Sequence, residues 1–175
     1  VALVRGAAVD RGQAVSEAGS AYQIFVDALR SCALAVTLSD LEASTLSSIV
    51  PDLSALIGRP ISEPKAVDAQ AARFRLLSTI TDVLRRRSQP AVLILEDIHW
   101  APDDALEVLH RLLVDADKYP LLVLASYRAD ERPRLPELLP GAKLLPLQRL
   151  PSRGMVALIE SMLGTSDVRP ELVSW

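Results

Sequence analysis

Two uninterrupted apolar runs dominate the hydrophobic pattern of this chain. Ala91–Leu95 and Leu121–Ala125 contain no polar position, which is typical of strands buried on both faces of a parallel sheet. Between the two runs, apolar residues recur at helical spacing after Pro102, a residue suited to the first turn of a helix. Residues 91–126 are therefore predicted to form a strand, a helix and a second strand parallel to the first.

The remainder of the pattern extends this alternation of helices and strands. Helical spacing predicts helices over 22–33, 66–87 and 152–163, while residues 34–65 indicate short helices joined by turns. Shorter strands are expected at Val1–Val4 and Lys143–Leu147, and the glycines and polar residues of 6–19 indicate irregular chain. The predicted fold class is α/β: a three-layer sandwich with a mostly parallel sheet, incomplete at both ends.

Composition narrows the class of protein and its partners. The 175 residues are 50% hydrophobic, enough for a real core, and 19 basic against 22 acidic residues give a net charge of −3. This balance argues against direct nucleic-acid contact, and the apolar runs are too short to span a membrane. We expect a cytoplasmic protein. The chain begins at Val1 without an initiator methionine, and we expect both ends to be cut from a larger domain.

Polar residues follow both predicted buried strands. Glu96 and Asp97 come directly after the first strand, and Arg128 comes shortly after the second. The carboxyl ends of parallel strands meet at one edge of the sheet, where ligands bind. An apolar strand that ends in two acids is the Walker B pattern of nucleoside triphosphatases, in which carboxylates hold Mg²⁺ and polarise the attacking water. On spacing alone, an ordinary solvated turn explains the two acids equally well.

A family resemblance favours the nucleotide interpretation. The segment Leu93–Asp104 (LILEDIHWAPDD) resembles the Walker B segment of the STAND branch of AAA+ signal-transduction ATPases, which are P-loop NTPases. Leu121–Glu131 (LLVLASYRADE) is similar to the strand and sensor segment of that family, and Leu144–Leu150 to its strand before the lid. Ala21–Arg30 resembles a helix start that follows the family's second strand. The likeness covers most of residues 1–165.

The resemblance implies a regulatory ATPase domain from a bacterial signalling or transcription-regulatory protein, with ATP and Mg²⁺ as cofactors. Glu96 would take the Mg²⁺-side position, Asp97 the position of the water-activating acid and Arg128 the sensor position. Because this branch often carries Glu-Asp where other members carry Asp-Glu, the separate roles of the two acids stay open. Its partners would be effector or sensor domains of the same chain, and a homo-oligomer stays open. Residues 1–150 would form the ATPase core and 151–175 the start of the helical lid.

One departure from the family limits what the chain can do alone. A phosphate-binding loop needs Gly-x-x-x-x-Gly-Lys-Ser/Thr, and none of the lysines, Lys65, Lys118 and Lys143, lies in such a segment. We expect the loop to precede Val1 in a longer parent protein, so that this fragment is inactive alone. The alternative is a degenerate, non-catalytic module that serves as a protein-interaction scaffold.

Several conspicuous residues have a structural interpretation that we favour over a functional one. His99 and Trp100 are expected to plug the sheet edge against a helix. Arg85–Arg87 is expected to be a solvated helix end, and Asp130–Glu131 a surface loop. Cys32 lies beside the apolar positions of a predicted helix and is expected to be a small buried hydrophobic residue.

Overall fold

The computed structural model describes residues 6–16, 21–114 and 116–164. The chain divides between Ala142 and Lys143 into two compact units, which are described separately. Among the residues that the model describes, no helix combines the length and the apolar character needed to cross a membrane.

The first unit contains a three-stranded, all-parallel sheet. Its strands, β1 (Ala8–Gln13), β2 (Ala91–Glu96) and β3 (Leu121–Ala125), lie in the order β1-β2-β3, so β2 is central. The register pairs Leu93 with Asp10 on one side and with Val123 on the other. The α/β class and the parallel strand, helix, strand unit predicted over 91–126 are therefore confirmed.

Helices of the first unit follow the predicted pattern closely. A 3-10 turn at Gln23–Phe25 leads into the first helix, and a short helix follows β3. The bounds are α1 (Val26–Ala35), α2 (Asp40–Leu46), α3 (Leu53–Ile57), α4 (Ala69–Arg85), α5 (Asp103–Leu113) and α6 (Leu135–Leu138). Two start on clear capping signals: Ser39 forms a capping box with Glu42, and the Asp68 carboxylate accepts a hydrogen bond from the Ala71 amide.

Strand β1 corrects the prediction of irregular chain over 6–19, and the predicted strand at Val1–Val4 lies outside the described residues. Its polar Asp10 is accommodated because its carboxylate forms a 2.7 Å ion pair with the buried Arg87 guanidinium. Gly12 is needed because a Cβ atom there would lie 1.9 Å from the Ile24 carbonyl oxygen. Strand β1 is therefore stabilised by a long-range ion pair and a close backbone contact, and its sequence lacks the apolar pattern of an ordinary strand.

The run Arg85–Arg87 at the end of α4 also corrects a prediction, because each of its side chains contacts a neighbouring element. Arg87 is 8% exposed and donates hydrogen bonds to the Ala28 carbonyl oxygen and the Cys32 sulfur. Arg86 pairs with Glu42, and Arg85 donates to the Val114 carbonyl oxygen. All three arginines therefore bind the end of α4 to neighbouring elements.

The core of this unit lies against one face of the sheet. Leu93 and Leu95 point into it and pack with apolar side chains of α1, α4 and α5. On the opposite face, Val92 is half-buried, and Leu122 and Leu124 of β3 are 54% and 46% exposed. The expectation that both strands are buried on both faces is therefore wrong for β3 in this structure, where burial alternates along the strand.

The second unit contains one described helix, α7 (Ser152–Leu163), at the position predicted from its apolar spacing. The strand predicted at Lys143–Leu147 is absent, since residues 142–151 are irregular. Pro146 has no N–H group to donate to a ladder, and Leu147 is 94% exposed. The apolar run that suggested a strand therefore lacks one of the backbone N–H donors that a strand uses, and its Leu147 side chain is not buried.

Candidate functional site

The two predicted acids lie at the carboxyl end of the central strand. Glu96 is the last residue of β2 and its side chain is exposed, while its carbonyl oxygen accepts a hydrogen bond from the Ala14 amide at 2.9 Å. Asp97 follows with φ 57° and ψ 37°, in the left-handed region. Among described residues other than glycine, it is the one with positive φ. This conformation costs an ordinary L-residue about 1–2 kcal/mol, less for Asp, and such strain concentrates at functional sites.

Side chains and backbone from all three strand ends hold Asp97 in place. The Gln13 side-chain amide donates a 3.0 Å hydrogen bond to Asp97 Oδ2 from the end of β1. After β3, Ser126 Oγ accepts from the Asp97 amide at 3.2 Å, and the Ser126 carbonyl oxygen accepts from the Ile98 amide at 2.9 Å. Gln13 therefore orients the Asp97 carboxylate, and Ser126 fixes the backbone on either side of the Asp97–Ile98 peptide. Among the described residues, Oδ1 of Asp97 accepts no hydrogen bond.

Arg128 lies in the loop after β3, as predicted, but its side chain pairs within that loop. Its guanidinium forms a 2.9 Å ion pair with Glu131, and its backbone amide donates to His99 Nδ1 at 3.4 Å. Within the described residues, no hydrogen bond or ion pair joins its side chain to Glu96 or Asp97. The structure thus places Glu96 and Asp97 at the end of β2 and Arg128 after β3, and it pairs the Arg128 guanidinium with Glu131.

Glu131, which the sequence predicts to be part of a surface loop, makes contacts that the sequence interpretation did not anticipate. Besides Arg128, its carboxylate accepts a 3.1 Å hydrogen bond from the Trp100 indole N–H. His99 Nε2 lies 3.3 Å from the same carboxylate oxygen without hydrogen-bond geometry, and the imidazole side chain is fully buried. The spacing of Arg128 and Glu131, three residues apart, was the available signal, but the contact to Trp100 depends on loop conformation. We call His99, Trp100, Arg128 and Glu131 the loop cluster.

The loop cluster combines a buried imidazole with three partly exposed side chains. The rings of His99 and Trp100 lie 4.6 Å apart between centroids, tilted by 47°. His99 is buried, as the structural interpretation expects, and Trp100 is 38% exposed. If Arg128 rotated away from Glu131, the hydrogen bond from the Trp100 indole N–H to the Glu131 carboxylate would remain.

The described part of the chain contains no cluster of side chains arranged as a metal site. No group of three or more histidine, cysteine, aspartate or glutamate side chains there is placed to hold a metal ion. Glu96 and Asp97 supply two adjacent carboxylates. This donor set fits Mg²⁺, which keeps several waters and binds through one or two carboxylates together with substrate phosphates.

Comparison with known proteins gives no match to a protein-family model, to a curated protein or to a solved structure. The functional interpretation therefore depends on the residues and the geometry described above.

Proposed function

We propose that this chain supplies the strand-end half of an ATP-hydrolysing site, in a regulatory ATPase domain of a bacterial signalling or transcription-regulatory protein. We propose the corresponding fold as well, a three-layer sandwich like that of P-loop NTPases. The observation that carries it is the pair Glu96 and Asp97 at the carboxyl end of the central parallel strand, with Asp97 held in a strained backbone conformation. ATP binding and hydrolysis would switch the arrangement of effector or sensor domains in the same polypeptide.

Each residue would have a defined task in such a site. Glu96 would hold Mg²⁺ through water, and the ion would neutralise charge on the phosphates when bound. Asp97 would accept a proton from the attacking water, and its hydrogen bond from Gln13 would orient the carboxylate. Arg128 would approach a γ-phosphate only after exchanging its ion pair with Glu131. The loop cluster would then report the state of the nucleotide.

The second candidate is a non-catalytic interaction scaffold with the same fold. Its supporting observations are the lack of a Gly-x-x-x-x-Gly-Lys-Ser/Thr segment in these 175 residues and the pairing of Arg128 with Glu131. Both candidates predict weak ATP binding by the 175 residues alone, because backbone amides and a lysine of such a loop make most phosphate contacts. Nanomolar binding by this chain in calorimetry would contradict both.

The deciding experiment measures ATP turnover and ATP affinity in the natural polypeptide that carries these residues. Asp97→Asn removes the proton acceptor and keeps a residue type that tolerates the left-handed conformation. We expect turnover to fall at least about 100-fold while ATP affinity changes little. The matched control is Asp117→Asn, an exposed acid shortly before β3, which should hydrolyse ATP at the unaltered rate.

Two outcomes would overturn the catalytic proposal. Unchanged turnover in Asp97→Asn would show that Asp97 is not the water-activating acid. A natural polypeptide that neither binds nor hydrolyses ATP would instead support the interaction scaffold.

A further inference from the structure

A cavity of about 500 Å³ lies in the first unit, and its lining comes mainly from the helices and the segments that join them. Its wall is formed by Tyr22, by Thr45 and Ser48 at the end of α2 and just after it, by the first half of α4 with the segment before it, and by Asp104 at the start of α5. A volume of this size is typical of small-molecule sites. The cavity shares no residue with the loop cluster or with Glu96 and Asp97.

The charges around this cavity are unbalanced. Arg73 and Asp104 neutralise each other through a 2.5 Å ion pair. Lys65 and Arg75 also line the cavity, and in the described part of the chain neither forms an ion pair with an acid. Two positive charges therefore stay uncompensated in a protein whose net charge is −3.

The two cationic residues line the same cavity. Arg75 donates a hydrogen bond to the Lys65 carbonyl oxygen at 3.4 Å, so its guanidinium lies beside the backbone of residue 65. A doubly charged group in this cavity can pair with both cations at once. A phosphate monoester concentrates nearly two negative charges on one group at neutral pH and offers three acceptor oxygens.

The remaining wall is apolar with a few hydroxyl groups. Val67 and Leu76 supply apolar surface beside the cations. Thr45 and Ser48 donate their hydroxyl protons to the carbonyl oxygens of Leu41 and Thr45, so that only their lone pairs face a ligand. A ligand that fits this wall carries an apolar body with at most a few donor groups.

Tyr22 completes the cavity without adding charge. Its hydroxyl donates a 3.1 Å hydrogen bond to Asp104 Oδ2. Burial, followed by the nearby Asp104 carboxylate, raises the pKa of Tyr22 to about 12. The phenol therefore stays neutral at physiological pH, and the net charge around the cavity stays positive.

We propose that this cavity binds a small phosphate monoester with an apolar or aromatic body, with Lys65 and Arg75 holding the phosphate. The site is independent of ATP hydrolysis at the strand ends. Its ligand contacts Asp104, the second residue of α5, which begins shortly after Trp100. The apolar body packs on Val67 and Leu76.

The test is a titration of the 175-residue chain with phenyl phosphate, inorganic phosphate and phenol, followed by amide chemical shifts in two-dimensional NMR. We expect phenyl phosphate to bind most tightly and to shift amides of residues 64–76. Lys65→Gln and Arg75→Gln should each weaken binding about five- to tenfold, a moderate effect because both groups are partly solvated. Lys143→Gln, the same substitution at an exposed lysine outside the cavity, should bind like the unaltered chain.

Three results would overturn the proposal. The first is no saturable shift with phenyl phosphate up to about 10 mM, a concentration that detects even millimolar binding. The second is equal affinity for inorganic phosphate and phenyl phosphate, which would remove the role of the apolar wall. The third is equal weakening by Lys65→Gln and Lys143→Gln, which would indicate general charge attraction.

Discussion

The buried ion pair between Asp10 and Arg87 should be a main determinant of stability. The two side chains are 12% and 6% exposed, and Arg87 also donates to the Ala28 carbonyl oxygen and the Cys32 sulfur. Replacing Arg87 by Met leaves the Asp10 carboxylate buried without its cation. Breaking one side of a buried pair costs about 3–5 kcal/mol, and we expect about 3 kcal/mol because Asp10 keeps some exposure.

Urea unfolding followed by circular dichroism measures this loss. With a urea dependence of about 2 kcal/mol per molar, the midpoint of Arg87→Met should fall by roughly 1.5 M. The control is Arg134→Met, which breaks an ion pair with Glu137 whose side chains are 84% and 61% exposed. That pair should contribute less than about 0.5 kcal/mol.

A double-mutant cycle separates the ion pair from the loss of packing. Asp10→Asn combined with Arg87→Met should destabilise the chain by less than the sum of the single changes, because the double variant leaves no buried charge unpaired. Additive effects, or a loss in Arg87→Met no larger than that in Arg134→Met, would refute the stabilising role of the pair.

Two further predictions concern acid stability and the packing of β1. Hydrogen bonding to Arg86 lowers the pKa of Glu42 from 4.5 to about 2, so its contribution to the free energy of unfolding is present above about pH 4.5 and disappears as pH falls through about 2. Glu42→Gln should therefore lower the free energy of unfolding by about 1–2 kcal/mol at pH 7 and by little at pH 2. The loss at pH 7 is moderate because solvent around the 42% exposed Arg86 weakens the pair. Urea midpoints of the variant and the unaltered chain that differ equally at both pH values would contradict this prediction. Gly12→Ala should destabilise the chain by at least about 2 kcal/mol, since the added Cβ would overlap the Ile24 carbonyl oxygen, and an unchanged thermal midpoint would show that β1 can shift freely.

The parts of the fold that sequence predicts well are those stabilised by local pattern. β2 and β3 follow from continuous apolar runs, and α5 from helical spacing with acids in its first turn. β1 could not be predicted because the group that permits Asp10 in its sequence is Arg87, 77 residues later in the chain. The strand predicted at Lys143–Leu147 failed for the opposite reason, because local apolar character alone does not supply a neighbouring strand.

The candidate site also has a part that the sequence predicts and a part that depends on contacts between distant residues. The positions of Glu96 and Asp97 at the end of β2 and of Arg128 after β3 follow from the apolar runs, which mark where the strands end. The left-handed conformation of Asp97 and the contacts of Glu131 depend on how two loops fold against each other. No periodic pattern records such contacts, so they are visible only in three dimensions.

The environment of Cys32 has a practical consequence. Its sulfur is the single thiol in the sequence, its residue is 0% exposed, and burial raises its pKa. A buried, protonated thiol reacts slowly with alkylating reagents, because the thiolate is the reactive form. A cysteine introduced at an exposed position can therefore carry a fluorophore or spin label over a low background, with the native residue left in place.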